Sequence, residues 1–229
     1  MKKSIAQIAA LALLLTGFLN IEPANSATPA SQAKIKLTVQ IDLGTGSLER
    51  WSLNCLPTSG THPNRVKACA LLTGKNAKAI LFPAPNNKTC PMLAGGPEVA
   101  RVDGTSNKRA VHLKFNQSNG CEIIKFKAAL ALFSVPGTSV VRGQVSLAPT
   151  CAVQTQGATC EDPSVSAPVT FTQGSQQIST QAVAQKGFAL RLPPGTWSVT
   201  AQAGRTCQRV EINVPTSTKF TIACDSGLR

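Results

Sequence analysis

Apolar and polar residues alternate through the first third of the chain. From Lys34 to Leu43, Ile35, Leu37, Val39 and Ile41 fall on one side of an extended segment, the period of a half-buried β-strand. Trp51, Leu53 and Cys55 repeat the pattern after a glycine-containing turn at Gly44–Gly46. Pro63 then stands where a first helical position is expected, with Thr61 or His62 just outside it. Val66, Cys69, Ala70 and Thr73 share one helical face before Gly74 ends the segment. A passage rich in proline and asparagine runs from Pro83 to Pro97. Beyond it, Ala110 to Phe115 and Ile123 to Phe133 read as strands, the second with room for a short helical start. These elements describe a small α/β domain built on an antiparallel sheet.

The second half is denser in strand signals and shows no convincing helix. Val141, Gly143, Val145 and Leu147 open it. Phe188, Leu190 and Leu192 alternate into Pro193-Pro194-Gly195-Thr196, a turn that returns through Trp197 and Val199. Val210, Ile212 and Val214 form another strand, and Phe220 with Ile222 the last. Short strands with regular turns predict an all-β sandwich.

The N-terminus changes the setting. Lys2 and Lys3 precede an apolar stretch from Ile5 to Leu19, followed by the small residues Ala24, Ser26 and Ala27. That order predicts a secretory signal peptide cut before Ala27 or just after it. The stretch is shorter than the roughly 20 residues that span a bilayer, and nothing later is apolar for long enough. The expected organisation is a leader over 1–26, a flexible lead-in over 27–33, an α/β domain over 34–134, a linker over 135–142 and a β-sandwich over 143–229. The mature protein is expected outside the cell.

All eight cysteines, at 55, 69, 90, 121, 151, 160, 207 and 224, lie beyond the leader. An even number in an exported protein reads as disulfides, and domains this small have modest cores that cross-links reinforce. The formal charge is +13. It is concentrated in the first domain, where residues 34–134 carry 14 basic and 5 acidic side chains against 7 and 4 from residue 135 onward. Such charge steers encounter with acidic partners without deciding the fold. The two histidines, His62 and His112, form no metal pattern. No ordered Ser/His/Asp set stands out, and oxidised cysteines are not nucleophiles. The sequence therefore predicts no enzyme, no metal and no cofactor. Aromatic residues make up 4% and tyrosine is absent, which removes the stacking platform that single-stranded nucleic acid needs. Nucleic acid is not an expected partner.

Leu53-Asn54-Cys55, Ser59-Gly60-Thr61-His62-Pro63, Ala68-Cys69-Ala70, Thr89-Cys90-Pro91-Met92, Val102-Asp103-Gly104, Lys108-Arg109 and Cys121-Glu122 occur in this order. In these pieces and their intervals the first domain resembles the Streptomyces subtilisin inhibitor-like family. The resemblance implies a five-stranded antiparallel sheet with two short helices, an exposed reactive loop, and disulfides Cys55–Cys69 and Cys90–Cys121. It places Met92 at P1, the residue that fills the protease's specificity pocket, and Leu93 at P1′, with Pro91 and Cys90 before them. It implies a subtilisin-like serine protease as partner and a homodimer, which the residues themselves do not derive. The chain departs from the family after P1, where Leu93-Ala94-Gly95-Gly96-Pro97 is one residue longer and carries two glycines. These predict a less rigid primed side.

Gly187-Phe188, Leu192-Pro193-Pro194-Gly195-Thr196-Trp197 and the ending from Cys224 give the second domain a resemblance to bacterial carboxypeptidase-regulatory-like, transthyretin-like sandwiches, which implies an accessory role. The sequence thus reads as a secreted protease inhibitor with scissile bond Met92–Leu93. The alternative is an extracellular adhesion or scaffold protein whose inhibitor-like domain does not inhibit. Four cysteines remain in the second half and permit three connectivities; proximity favours Cys151–Cys160 and Cys207–Cys224. Non-reducing peptide mapping should recover a cross-linked peptide joining Cys151 to Cys160, and a bridge between the two halves would overturn this assignment.

Overall fold

A computed structural model describes residues 34–228, except for 47, 86–88 and 151–162. The expected leader and lead-in, and the expected Cys151–Cys160 pair, lie outside the described residues.

Ile35, Leu37, Val39 and Ile41 are all buried, and the strand they define, β1 (Ile35–Asp42), runs inside a sheet rather than along its edge. It pairs antiparallel with β2 (Leu48–Cys55), where Val39 faces Trp51, and with β3 (Val99–Ser106), where Val39 faces Val102. β4 (Arg109–Phe115) pairs outside β3, giving the order β2-β1-β3-β4. Among the described residues this sheet has four strands, not the five implied by the resemblance. Strand β3 is faint in the sequence, because its outward residues Arg101 and Asp103 and its Gly104 dilute the apolar run of Ala100 and Val102.

Among the described residues three helices cover one face, one more than the resemblance implies. Helix α1 (Arg65–Thr73) starts two residues after Pro63 and buries Ala68, Cys69 and Leu72. Val66, expected on that face, is 72% exposed because the buried stripe is rotated from the predicted one. The Cys55–Cys69 disulfide joins α1 to β2. Helix α2 (Ala77–Leu81) is a short segment with no clear sequence signal, and it buries Ile80 and Leu81. The strand expected from Ile123 to Phe133 is helix α3 (Gly120–Ala128) followed by a 3-10 turn at Leu130–Leu132. Local capping decides this: the Asn119 side chain accepts from the Glu122 N–H at 3.0 Å, satisfying a donor the helix cannot satisfy itself. Once the chain turns helical, Phe126, Ala129, Leu132 and Phe133 fall inward. The Phe133 ring lies 5.0 Å from that of Phe126 and 5.1 Å from that of Phe115.

The C-terminal region is an all-β sandwich. One sheet has the order β10 (Thr206–Cys207), β12 (Lys219–Asp225), β5 (Ser139–Ala148), β8 (Phe188–Leu192). The other has the order β11 (Val210–Val214), β9 (Gly195–Ala201), β6 (Ala167–Gln173), β7 (Gln176–Ala182). β5 begins at Ser139, within the span read as a linker, and β12 pairs with it in parallel while the other ladders are antiparallel. Phe171, Phe188, Trp197, Val199 and Ile222 fill the space between the sheets. The Trp197 indole N–H finds Pro193 O at 3.2 Å, so its ring is buried without orphaning its donor. A Cys207–Cys224 disulfide joins β10 to β12.

The sandwich turns part of its outer face toward the first core. Ala189 belongs to the cluster built from β1, α1 and Phe133, and Val140 packs against it. Arg191, also on β8, donates to Glu49 at 2.9 Å and to Phe133 O at 2.8 Å. This fork-like use of a guanidinium fixes strand β8 against strand β2 and the end of the 3-10 turn.

His62 closes the other side of that turn. It is fully buried, with Nε2 2.9 Å from Leu132 O, while Nδ1 accepts from Asn64 N–H at 3.0 Å. Both contacts together require the neutral ring with its proton on Nε2. Burial lowers its pKa below the ordinary 6.5, against an opposing contribution from the bond to Leu132 O. Because the folded state disfavours the charged ring, the unfolded chain binds more protons below pH 6.5. Stability is then complete above that value and declines as the pH falls through the folded-state pKa. Thermal melts of a chain spanning residues 27–229 should show this decline between pH 7 and about pH 5. His62→Gln should reduce that part of the pH dependence, while costing about 1–2 kcal/mol at neutral pH through altered packing and hydrogen bonding.

Candidate functional site at Met92

The chain from Cys90 to Pro97 carries an apolar side chain where packing offers it nothing. Met92 is 92% exposed and its neighbour Leu93 59%. Scattered exposed aliphatics are ordinary, so the meaning of Met92 depends on how its backbone is held.

Before Met92 the hold is covalent and polar together. Cys90 is bonded to Cys121 in the first turn of α3. The carbonyl of Pro91 accepts from Gly120 N–H at 2.8 Å, using one of the helix-terminal donors that lacks an intrahelical partner. The same carbonyl accepts from Leu93 N–H at 2.9 Å, a three-residue turn with Met92 at its tip. Gly120 makes the approach possible, since a Cβ there would stand only 3.2 Å from the Pro91 ring. Proline also limits the backbone between the bridge and Met92.

After Met92 the hold is polar and steric. Gly95 N–H donates to Gln117 O at 2.9 Å, so Met92, Leu93 and Ala94 span two fixed points. The surroundings of Gly95 and Gly96 show what the absence of a side chain permits on this side. Neither adopts the left-handed conformation that glycine alone favours. A Cβ on Gly95 would lie 2.8 Å from both Ile123 Cγ1 and Gln117 Oε1, and one on Gly96 would collide with Glu98 Oε2. The missing side chains permit close approach.

Further along, the Gln117 amide donates to Glu98 Oε2 at 2.8 Å, and the other Glu98 oxygen accepts from Arg142 of β5. Pro97 rests on Gly44 in the β1–β2 turn, where a Cβ would stand 2.5 Å from the proline ring. Gly44 has a φ of +100°, and its N–H, with those of Thr45 and Gly46, donates to one Asp42 carboxylate oxygen. At the upstream root, Arg109 lies over the Phe82 ring at 4.0 Å. Asn86, Asn87 and Lys88 lie outside the described residues.

The sequence singles out Met92, Leu93, Cys90, Pro91 and Cys121, and the structure brings these together around the start of α3. It does not mark Gln117, Gly120, Glu98 or Arg142 as supports. Asn119 followed three residues later by Glu122 is a helix-start signal that places an N-terminus beside Cys121. His112 sits apart from this group, paired with Asp103 at 3.0 Å on the exposed face of the sheet. Among the described residues no group of three His, Cys, Asp or Glu could hold a metal ion, and no helix is long and apolar enough to cross a membrane.

Gly95→Ala should destabilise the protein by about 1–3 kcal/mol through overpacking against Ile123. Adding Ile123→Ala should relieve part of that strain, so the two changes will be non-additive in a double-mutant cycle measured by denaturant unfolding. Simple additivity would show that the close approach does not constrain the loop.

No curated protein matches the chain. Residues 31–119, the stretch that carries Met92, Leu93 and the Gln117 carbonyl, match the family described as subtilisin inhibitor-like.

Proposed function

We propose that this is a secreted inhibitor of subtilisin-like serine proteases, offering Met92 as P1 with Met92–Leu93 as the scissile bond. The observation that carries the reading is an exposed unbranched apolar side chain at the tip of a turn whose two flanks are each tied to the segment around the start of α3. The family match over residues 31–119 supports it.

A protease of this class binds its substrate as an extended strand and seats the P1 side chain in a pocket. Methionine is flexible and uncharged, which suits a broad apolar pocket. It leaves the buried carboxylate of a trypsin-type pocket without a counter-charge. Binding by itself would make a substrate. Inhibition requires that the two ends of a cut bond remain where they were, and the Cys90–Cys121 bridge with the Gly95–Gln117 hydrogen bond supplies an anchor on each side. Because folding has already ordered the loop, little conformational entropy remains to be lost on binding.

Titration of subtilisin with the leader-free protein tests the reading. Met92→Ala should weaken inhibition by about 2 kcal/mol or more, which is roughly thirtyfold in the inhibition constant. Met92→Asp should be worse, since the pocket would bury an unpaired charge. Mild oxidation to the sulfoxide should mimic a polar substitution, because Met92 is the only methionine besides Met1. Melting temperatures should stay near wild type, as the side chain packs against little. Full inhibition by M92D would sink the assignment of Met92. A wild-type protein that fails to inhibit would favour an extracellular scaffold role.

A further inference from the structure

The two flanks of Met92 are held by different means. The upstream flank has a disulfide to α3. The downstream flank has no covalent tie: besides the close approach of Gly95 to Ile123 and of Pro97 to Gly44, it is held by the hydrogen bond from Gly95 to Gln117 O, and the Gln117 side chain is in turn engaged by Glu98 at 2.8 Å. Glu98 is partly buried, its side chain 17% exposed, and its remaining oxygen is paired with Arg142. Arg142 is on the first strand of the sandwich, where its guanidinium also lies 3.4 Å from Leu43 O. A carboxylate withdrawn from water is costly unless compensated by charge and hydrogen bonds. Without Arg142 it would turn toward solvent and release the Gln117 amide.

We propose that the C-terminal sandwich braces the downstream flank of the reactive loop, with Arg142 and Glu98 acting as positioning residues for the Met92–Leu93 bond. The inference rests on the inhibitory reading above. The brace acts on the fate of the bond once the protease has attacked it. The protease serine oxygen adds to the Met92 carbonyl, the C–N bond to Leu93 breaks, and the Leu93 amine takes up a proton. If the amine remains in place it can attack the acyl-enzyme, re-forming the peptide bond and returning the serine hydroxyl. If the chain beyond Leu93 drifts away, water attacks instead and the inhibitor is consumed. Arg142 acts through Glu98, Gln117 and Gly95 on how long the amine stays. The brace therefore governs the rate of turnover more than the initial affinity, which Met92 and the upstream flank dominate.

The test uses the whole leader-free chain, as wild type, Arg142→Met, Arg142→Lys, Glu98→Gln and the double variant R142M/E98Q. Hydrogen exchange at the Gly95 amide reports the brace without any protease, with the Val39 and Val141 amides reporting global stability. Mass spectrometry of stoichiometric mixtures with subtilisin reports hydrolysis at Met92–Leu93. R142M should speed both Gly95 exchange and hydrolysis by about tenfold, the scale of one lost charge-assisted hydrogen bond. The initial inhibition constant should move by less than about threefold, a fraction of the same scale. R142K should keep both rates near those of wild type, and E98Q should raise them as R142M does. The double variant should fall short of the product of the single effects, because the two residues act on one contact. Wild-type exchange and wild-type hydrolysis in both R142M and E98Q would overturn the brace, as would faster Gly95 exchange with unchanged hydrolysis. If R142M does not fold, E98Q carries the comparison. If wild type does not inhibit, the inhibitory function and this role in turnover fail, while Gly95 exchange still shows whether Arg142 holds the loop.

Discussion

The first turn of a helix carries N–H groups with no partner inside the helix, and much of this protein is arranged around one such turn. Asn119 satisfies Glu122 N–H, Gly120 N–H is taken by the carbonyl of Pro91, and Cys121 is bonded to Cys90. The same short run begins with Gln117, whose carbonyl receives Gly95. One short segment therefore starts α3 and grips the loop on both sides of Met92. It also sets where Phe126, Ala129, Leu132 and Phe133 enter the core, and a loop displaced from this turn would take from the Gly120 N–H its protein partner. Loop and core share one constraint.

That arrangement explains what the sequence reveals and what it conceals. The alternation of Ile35, Leu37, Val39 and Ile41 announces β1, since period two has one reading when one face is buried. Strand β8 and the Pro-Gly return to Trp197 are legible for the same reason. The segment after Ile123 reads as a strand until Asn119 is recognised as a cap, because only then do Phe126, Ala129 and Phe133 suit a helix. The identities of Met92, Pro91 and Cys90 are readable from a local motif. The meaning of Gly95 and Gly96 is not. A glycine in sequence signals the lack of a Cβ, which serves freedom in one setting and proximity in another, and only the positions of Ile123 and Glu98 distinguish them.

The relation between the two halves is the least legible feature. Charge, composition and pattern all change near residue 135, and this suggests separable modules. Yet Ala189 lies in the core of the first half, Arg191 joins Glu49 and Phe133 O, and Arg142 joins Glu98. These contacts link residues far apart in the chain, and nothing in local periodicity encodes them. Both arginines come from strands whose inward residues build the sandwich core. Strand alternation therefore accounts for their outward direction, though not for what they meet.

The exposure of Met92 has an evolutionary corollary. A side chain that contributes almost nothing to packing is invisible to selection for folding, so under the proposed function the codon at position 92 answers only to the proteases the protein encounters. Gly95, Gly120 and Cys121 are in the opposite situation, because they are fixed by contacts that matter whatever the target. A lineage with this architecture can follow a changing adversary one substitution at a time at the tip, while the machinery underneath stays still.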